Sequence, residues 1–440
     1  MFSRLFGKYL TEKEILTKDQ LAMVMSQQNT ARVKLGTIAV TSGFMTEEQA
    51  DEVNYLQTQQ DKRFGDIALE KGYLTMAQLS ELLDQQGNAF MKFIQLLGES
   101  CDISLSAVEV YLADFQRSQG FSDEEMQALK KNDIDAIVPV FAFASKPFVT
   151  ELTSLVLRNI TRFITSDFYI STIRRVENYH YHCLCGQELV GENQIWMGFI
   201  GKENADAVLR LASAYAKEDF KELDGRAFDA LGEFCNICSG LLATQLSGNG
   251  VYVDMLSPFA YVNQSMEGKG YVVPITIEGN ELELFISVDE DILPGKEPYN
   301  MVVARKAGSQ VTADSRGTLV VVDDSALIRK ALRDIAESEG YTVVAEGTNG
   351  EEGIAAYQEF HPDLITLDIT MPEMDGVSAL EKIMEIDPNA KAVMITAAGQ
   401  QYKVITALRA GAKKFIMKPL NRDEVIQTLS ELIPRTRSFS

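Results

Sequence analysis

Disulfide chemistry is the first thing this sequence has little means for. Five cysteines in 440 residues are too few and too unevenly spread for a disulfide framework, so reduced thiols are expected. Two local clusters, "HYHCLC" (His180, His182, Cys183, Cys185) and "CNIC" (Cys235, Cys238), could together supply four zinc ligands. A CxC on a strand, however, alternates around its central leucine, and a CxxC inside a helix is common as packing, which makes buried free thiols the expectation. Basic charge is also short. The 41 Lys and Arg against 63 Asp and Glu leave a net charge of -22, which argues against nucleic acid or anionic lipid as a partner, because binding phosphate needs clustered cations. No apolar run approaches the roughly eighteen residues of a membrane span, and the opening "MFSRLFGKYLTEKEIL" has neither a signal-peptide core nor a cleavage site. No membrane insertion and a cytoplasmic location are therefore expected. What is present is 46% hydrophobic content, enough for several cores, over a length that suggests about three domains.

The first of these is a repeat. "LFGKYLTEKEILTKDQLAMVMSQQ" from Leu5, "KLGTIAVTSGFMTEEQADEVNYLQ" from Lys34 and "RFGDIALEKGYLTMAQLSELLDQQ" from Arg63 align at a constant offset of 29 residues. Each carries Thr-x-x-Gln (Thr17/Gln20, Thr46/Gln49, Thr75/Gln78), a capping box that opens a helix, with Leu16, Met45 and Leu74 before the threonine as staple residues. Each unit reads as a short helix, a turn and a longer helix. Gly43 and Gly72 stand where the first helix should stop, and Glu14 takes that place in the first unit. The pattern resembles the tandem N-terminal motif of type II secretion and pilus ATPases (MshEN-type), which implies cyclic di-GMP bound through arginine-led openings and closing glutamines. Gln28, Gln57 and Gln86 are present, but the opening positions are Leu5, Lys34 and Arg63, and lysine does not replace a planar guanidinium. A helical docking scaffold is expected, with at most weak cyclic di-GMP binding at Arg63 and Lys34.

From Thr318 onward, "TLVVVDDS", "YTVVAEG", "DLITLD", "KAVMIT" and "KKFIMKP" are short β-rich apolar runs alternating with amphipathic helical stretches. That alternation predicts a doubly wound α/β domain of five parallel strands and five helices, with its site beyond the carboxyl ends of the strands. Asp323, Asp324 and Asp368 fall there, with Thr396 and Lys418, and carboxylates so gathered call for a hard cation such as Mg²⁺. The segment resembles the receiver domain of two-component response regulators of the CheY type, on "VVDDS", "LDITMPEMDG", "MITAAG" and "FIMKP". The resemblance implies that Asp368 is the phosphoacceptor and that Asp323, Asp324, Asp368 and the Thr370 carbonyl hold Mg²⁺ or Mn²⁺. It further implies that Thr396 and Lys418 contact the phosphoryl group and that Phe415 is the switch aromatic. A histidine kinase or other phosphodonor is the implied partner. With nothing after Ser440, no DNA-binding output domain is expected downstream.

Between these parts the pattern is α+β. "KPFVTELTSLVLRNITRFI", "NADAVLRLASAYA" and "GRAFDALGEFCNICSGLLATQLS" read as helices, "QIWMGFIG" as a strand and "YVVPITIEGNELELFISVD" as a hairpin turning at Glu278-Gly279-Asn280. In the third helix Leu231, Phe234, Ile237, Leu241 and Leu242 form the core stripe, with Glu233 and Asn236 at its edge. The sequence Asp229, Glu233, Asn236, Pro258 resembles the motif of the CheC/CheX/FliY chemotaxis phosphatases, with a last gap one residue short. The resemblance implies hydrolysis of receiver phosphoaspartate, with Asn236 orienting water and Glu233 gripping a receiver lysine.

The expected organisation is multidomain: all-α repeats over 1–90, a helical connector over 91–132, an α+β CheX-like domain over 133–292, a linker over 293–317 and the receiver over 318–437. The expected function is a signalling protein phosphorylated on Asp368 whose middle domain is an aspartyl-phosphate phosphatase, acting on its own or another CheY-like receiver. A second copy of the chain is a further candidate partner. Two alternatives stay open, a non-catalytic phosphorylation-dependent docking protein and a cyclic di-GMP sensor.

Overall fold

The computed structural model describes residues 1–29, 35–36, 39, 44–60, 62–85, 89–103, 105–142, 146–299 and 315–433. Lys34, Gly43 and Gln86 lie outside them, as does most of the expected linker. The chain divides into two compact units, one of residues 1–175 and 271–283, the other of 176–270 and 284–440.

In the first unit the repeat is realised as paired helices. Phe2–Glu12 leads to Lys18–Asn29, and Phe64–Glu70 to Met76–Gln85; of the middle repeat, Glu47–Gln59 is described. All three capping boxes form: the backbone amides of Thr17, Thr46 and Thr75 each donate to the glutamine three residues on, at 2.9 Å, and those glutamine amides donate back to the threonine hydroxyls at 3.1–3.3 Å. The turns repeat as well. Leu16, Met45 and Leu74 donate their amides to Leu10, Ala39 and Ala68, and all three staple residues are buried. Gly72 sits at φ +72°, and Glu14, its counterpart, accepts the left-handed region at φ +57°. The helices Ala89–Cys101, Leu105–Gln119, Asp123–Lys131, Ile134–Phe141 and Pro147–Asn159 follow. The sequence pattern predicts that the last runs on through "ITRFI", but Ile160–Ile164 widens into a π turn. A short strand β1 (Phe168–Ile170) pairs antiparallel with the end of β5 (Phe259–Ile277), and β5 turns into β6 (Asn280–Val288) through Glu278 and Gly279 at φ +48° and +88°, the primed turn that matches strand twist.

The second unit joins the rest of the middle region to the C-terminal domain. Strands β2 (Arg174–Gly191), β3 (Ile195–Gly201) and β4 (Val253–Met255) pair antiparallel, with β2 central and Gln187 opposite Met197. The length of β2 has no signature in the sequence, because its first half is exposed and shows no clean alternation. Two helices cover this region, Asp206–Ala216 and Gly225–Gly248, the second capped by Asp224. The expected stripe of Leu231, Phe234, Ile237, Leu241 and Leu242 is buried, but so are Phe228, Ala230, Gly232, Glu233, Cys235, Cys238 and Gly240. A helix buried nearly all round has two partners. Cys183, Cys185, Cys235 and Cys238 are buried thiols within this packing.

The C-terminal domain is the doubly wound fold expected: β7 (Thr318–Val322), β8 (Thr342–Gly347), β9 (Leu364–Asp368), β10 (Ala392–Thr396) and β11 (Lys414–Met417) are parallel in the order β11-β10-β9-β7-β8. Five helices alternate with them, and two apolar layers cover the sheet faces. Among the described residues of the chain no helix is long and apolar enough to cross a membrane.

Candidate functional site

The carboxyl edge of this sheet gathers the predicted residues because each stands at or just past a strand end: Asp323 and Asp324 after β7, Asp368 closing β9, Thr396 closing β10 and Lys418 after β11. The Asp323–Asp324 loop is pinned from below. Arg329, buried in the following helix, donates Nη1 to the carbonyls of Asp323 at 2.7 Å and Asp324 at 3.0 Å, and its Nε is 3.4 Å from Glu346. Asp368 accepts from the Thr370 amide at 3.1 Å. Gln400 ties two further loops together, accepting from the Thr396 hydroxyl at 2.9 Å and donating to the Thr370 hydroxyl at 2.6 Å. Phe415 stands apart from these groups on β11, exposed.

Lys418 Nζ is the hub. It lies 3.1 Å from Asp323 Oδ2, 3.1 Å from Asp368 Oδ1 and 3.4 Å from Glu233 Oε1, and all four side chains are shut away from water, with Glu233 and Lys418 3% and 4% exposed. Glu233 comes from the Gly225–Gly248 helix. The expectation sets it at the edge of the core stripe; it is buried there, because the stripe packs on the sheet of the middle region while a second face of the same helix packs on the C-terminal domain.

That second face is Asp229, Glu233, Asn236 and Gly240, spaced four, three and four residues apart, which puts them on one side of a helix. Asp229 accepts from the Leu327 amide at 2.7 Å and the Ser325 hydroxyl at 3.3 Å. Glu233 meets Lys418. Asn236 Nδ2 donates to Glu233 Oε1 at 3.3 Å and Asn236 Oδ1 accepts from Gln187 Nε2 at 2.6 Å. At Gly240 a Cβ would stand 2.4 Å from the Ala398 carbonyl oxygen, so only glycine allows this approach of helix to loop. Pro258, the last residue of the motif, packs on the helix backbone where Gly232 leaves room. Lys403 and Asp254 form an ion pair at 3.0 Å on the margin of the same contact.

Electrostatics follow from burying so many acids together. Burial pushes Asp368 up to about 8, Lys418 working against it and Asp323 and Glu233 adding to it. Burial, then Asp368 and Asp323, hold Asp324 well above the usual carboxylate range. Glu233 is raised mainly by burial, partly offset by Lys418. Burial and the neighbouring Glu233 lift Asp229 to about 7. Lys418 is depressed by burial, but Asp323, Asp368 and Glu233 outweigh this and keep it a firm cation.

The donor set suits a hard divalent cation. Ligand oxygens of Glu233, Asp323 and Asp324 lie within 4.8 Å of one another, and Glu233 Oε2 is buried with no hydrogen-bond partner among the described residues. Glu233 is the member of this group that sequence reasoning had not counted among the metal ligands.

In the first unit Arg63, the candidate for at most weak ligand binding, meets carboxylates, with Nη2 3.3 Å from Asp133 and 3.2 Å from Asp135. Gln57 donates to the Lys62 carbonyl. Sequence reasoning also missed Arg329, Gln400, Gln187 and Gly240. For Gly240 a signal existed, since it continues the spacing of Asp229, Glu233 and Asn236 along an otherwise apolar helix. For the other three the sequence carries no local signal.

A family model described as the response regulator receiver domain matches residues 319–430. The chain is 48% identical over 114 residues to the chemotaxis protein CheY of Thermotoga maritima, covering 26% of this chain and 95% of that protein. It is 46% identical over 115 residues to CheY of Bacillus subtilis, covering 26% of this chain and 96% of that one. Among solved structures, a crystal structure of the CheX–CheY–BeF3–Mg complex from Borrelia burgdorferi is 42% identical and covers 26% of this chain and 87% of that chain, with a TM-score of 0.26.

Proposed function

Because the chain belongs to the response regulator receiver family, with residues 319–430 forming the receiver, we propose that Asp368 accepts a phosphoryl group and that the Gly225–Gly248 helix of the same chain promotes its hydrolysis. The observation that carries this reading is Glu233 Oε1 at 3.4 Å from Lys418 Nζ, which itself lies 3.1 Å from Asp368. A carboxylate from the middle region thus reaches the lysine that would contact the phosphoryl group, and brings Asn236 one helical turn away. The resemblance of Asp229, Glu233, Asn236 and Pro258 to the CheC/CheX/FliY phosphatase motif supplies the reaction class.

In the proposed reaction the Asp368 acyl phosphate and water give the Asp368 carboxylate and inorganic phosphate. The water oxygen bonds to phosphorus, the bond from phosphorus to the Asp368 oxygen breaks with its electron pair staying on the carboxylate, and the proton of the water leaves with the phosphate. Asn236 orients the water without exchanging a proton, since a carboxamide offers both donor and acceptor. Glu233 holds Lys418 and thereby the helix. Asp323, Asp324, Asp368 and the Thr370 carbonyl would hold Mg²⁺, which would neutralise charge on the phosphoryl oxygens. The phosphodonor is a histidine kinase or a small acyl phosphate.

The test is a time course of phosphoaspartate loss after loading with acetyl phosphate and Mg²⁺. Asn236→Ala is expected to lengthen the lifetime by roughly one to three orders of magnitude, the scale of a lost positioned contact. The first-order rate constant of the unmodified chain is expected to stay the same on dilution, as for a reaction within one molecule. Decay that slows on dilution would move the reaction to another molecule's receiver. Equal decay in both proteins would leave a docking role and remove catalysis.

A further inference from the structure

We infer that Gln187 sets the amide orientation of Asn236 and is thereby a positioning residue for the hydrolysis proposed above, a reading on which this inference rests. Gln187 lies on β2, wholly buried, 49 residues from Asn236 in sequence. Its Nε2 stands 2.6 Å from Asn236 Oδ1 and 2.7 Å from the Leu256 carbonyl oxygen.

The carbonyl decides the whole arrangement. A backbone oxygen only accepts, so the Gln187 atom beside it is the amide nitrogen. That nitrogen spends one hydrogen on Leu256 and the other on Asn236, which obliges Asn236 to present its oxygen there. Its nitrogen then points to Glu233 Oε1, an acceptor when ionised. A flipped Asn236 would set two donors against each other at Gln187 and two acceptors at Glu233. The Leu256 carbonyl is itself fixed, because the Leu256 amide donates to the Glu188 carbonyl at 2.9 Å. The chain of constraint runs from Leu256 through Gln187 and Asn236 to Glu233 and Lys418. It leaves Asn236 with one lone pair and one N–H free, which is what a water needs to be held in a single orientation.

A second observation separates this role from packing. Gln187 Oε1 is buried and has no hydrogen-bond partner among the described residues. An unsatisfied buried carbonyl destabilises a fold, and leucine or methionine would fill the same space without that cost. The amide at this position is explained by what its nitrogen does.

The test compares phosphoaspartate decay in Gln187→Leu, Gln187→Glu, Asn236→Ala and the double variant Gln187→Leu/Asn236→Ala, using the full chain loaded with acetyl phosphate. Gln187→Leu is expected to slow decay about ten- to a hundredfold, and the double variant to be no slower than Asn236→Ala alone, since both changes remove one positioned group. Gln187→Glu adds a readout that packing would not move. Only the protonated acid has a hydrogen to donate, so its rate relative to the unmodified chain is expected to fall as pH rises through the titration of that acid. Glu233 and, beyond it, Lys418 are the charged groups of this network, and the ratio to the unmodified chain removes their own titration. If Asn236→Ala is slow while Gln187→Leu decays normally, or if the two effects multiply, the inference falls and the phosphatase reading stands. A Gln187→Glu ratio independent of pH also overturns it, and remains readable should Gln187→Leu fail to fold. An Asn236→Ala chain that decays like the unmodified one removes the phosphatase reading itself.

Discussion

Arg63 and Lys418 each face more than one carboxylate, but Arg63 keeps 58% of its side chain in water and Lys418 keeps 3%. Around Arg63, Asp133 and Asp135 stay partly in water and contribute screened attraction, the usual condition of surface ion pairs. Around Lys418, burial raises Asp368, Asp324 and Glu233 together, so each charge state depends on the others and on any cation present. Similar chemical groups thus make a solvated clasp in one unit and a responsive site in the other. Burial makes the difference, and at Lys418 it comes partly from a helix outside the receiver.

The comparison is broken most completely by removing the proposed acceptor. Asp368→Asn is expected to abolish labelling by a radiolabelled phosphodonor, and Asp133→Asn at the exposed cluster to leave it at the level of the unmodified chain. Next, Gly240→Leu inserts a side chain where even a Cβ meets the Ala398 oxygen, so it should part the helix from the receiver without touching Asn236, Glu233 or Lys418. Decay of the acyl phosphate is expected to slow at least about tenfold, the size of a lost positioned contact; an unchanged rate would mean that the contact contributes nothing to hydrolysis.

Stability measurements sharpen the contrast. Lys418→Met strands buried carboxylates and is expected to cost about 3 kcal/mol in denaturant unfolding without Mg²⁺. Arg63→Met should cost under about 1 kcal/mol. Comparable losses would show that burial does not separate the two clusters. The smallest expected effect concerns ligand binding at the repeats. With Arg63 engaged by two aspartates, calorimetry with cyclic di-GMP is expected to show at most weak heat, little altered by Arg63→Ala, whereas sub-micromolar binding lost in that variant would restore the sensor reading.

Much of this architecture was legible in advance. The capping boxes were readable because each needs only residues three apart, and all three form. The receiver sheet is readable because its strands are short apolar runs, wholly buried at β9 and β10, with Asp368 and Thr396 at the ends of those two. Spacing singles out Glu233 and Asn236 beside the core stripe, but it does not state how deeply they lie, and Glu233 is only 3% exposed. Gln187 and Gln400 have no signature in the sequence, since hydrogen bonds across 49 or 30 residues leave no periodic trace.

By itself the sequence determined which residues share a helix face and which acids crowd a sheet edge, because helix and strand periods are set by backbone geometry over a few residues. Only the tertiary structure decided what those faces meet. Glu233 and Lys418 are 185 residues apart, and nothing in the period of either segment states that one helix should bury its apolar side in its own sheet and its polar side in the receiver. That choice depends on shape at points such as Gly240 and Ala398, where the absence of a single Cβ permits the approach and its presence would forbid it.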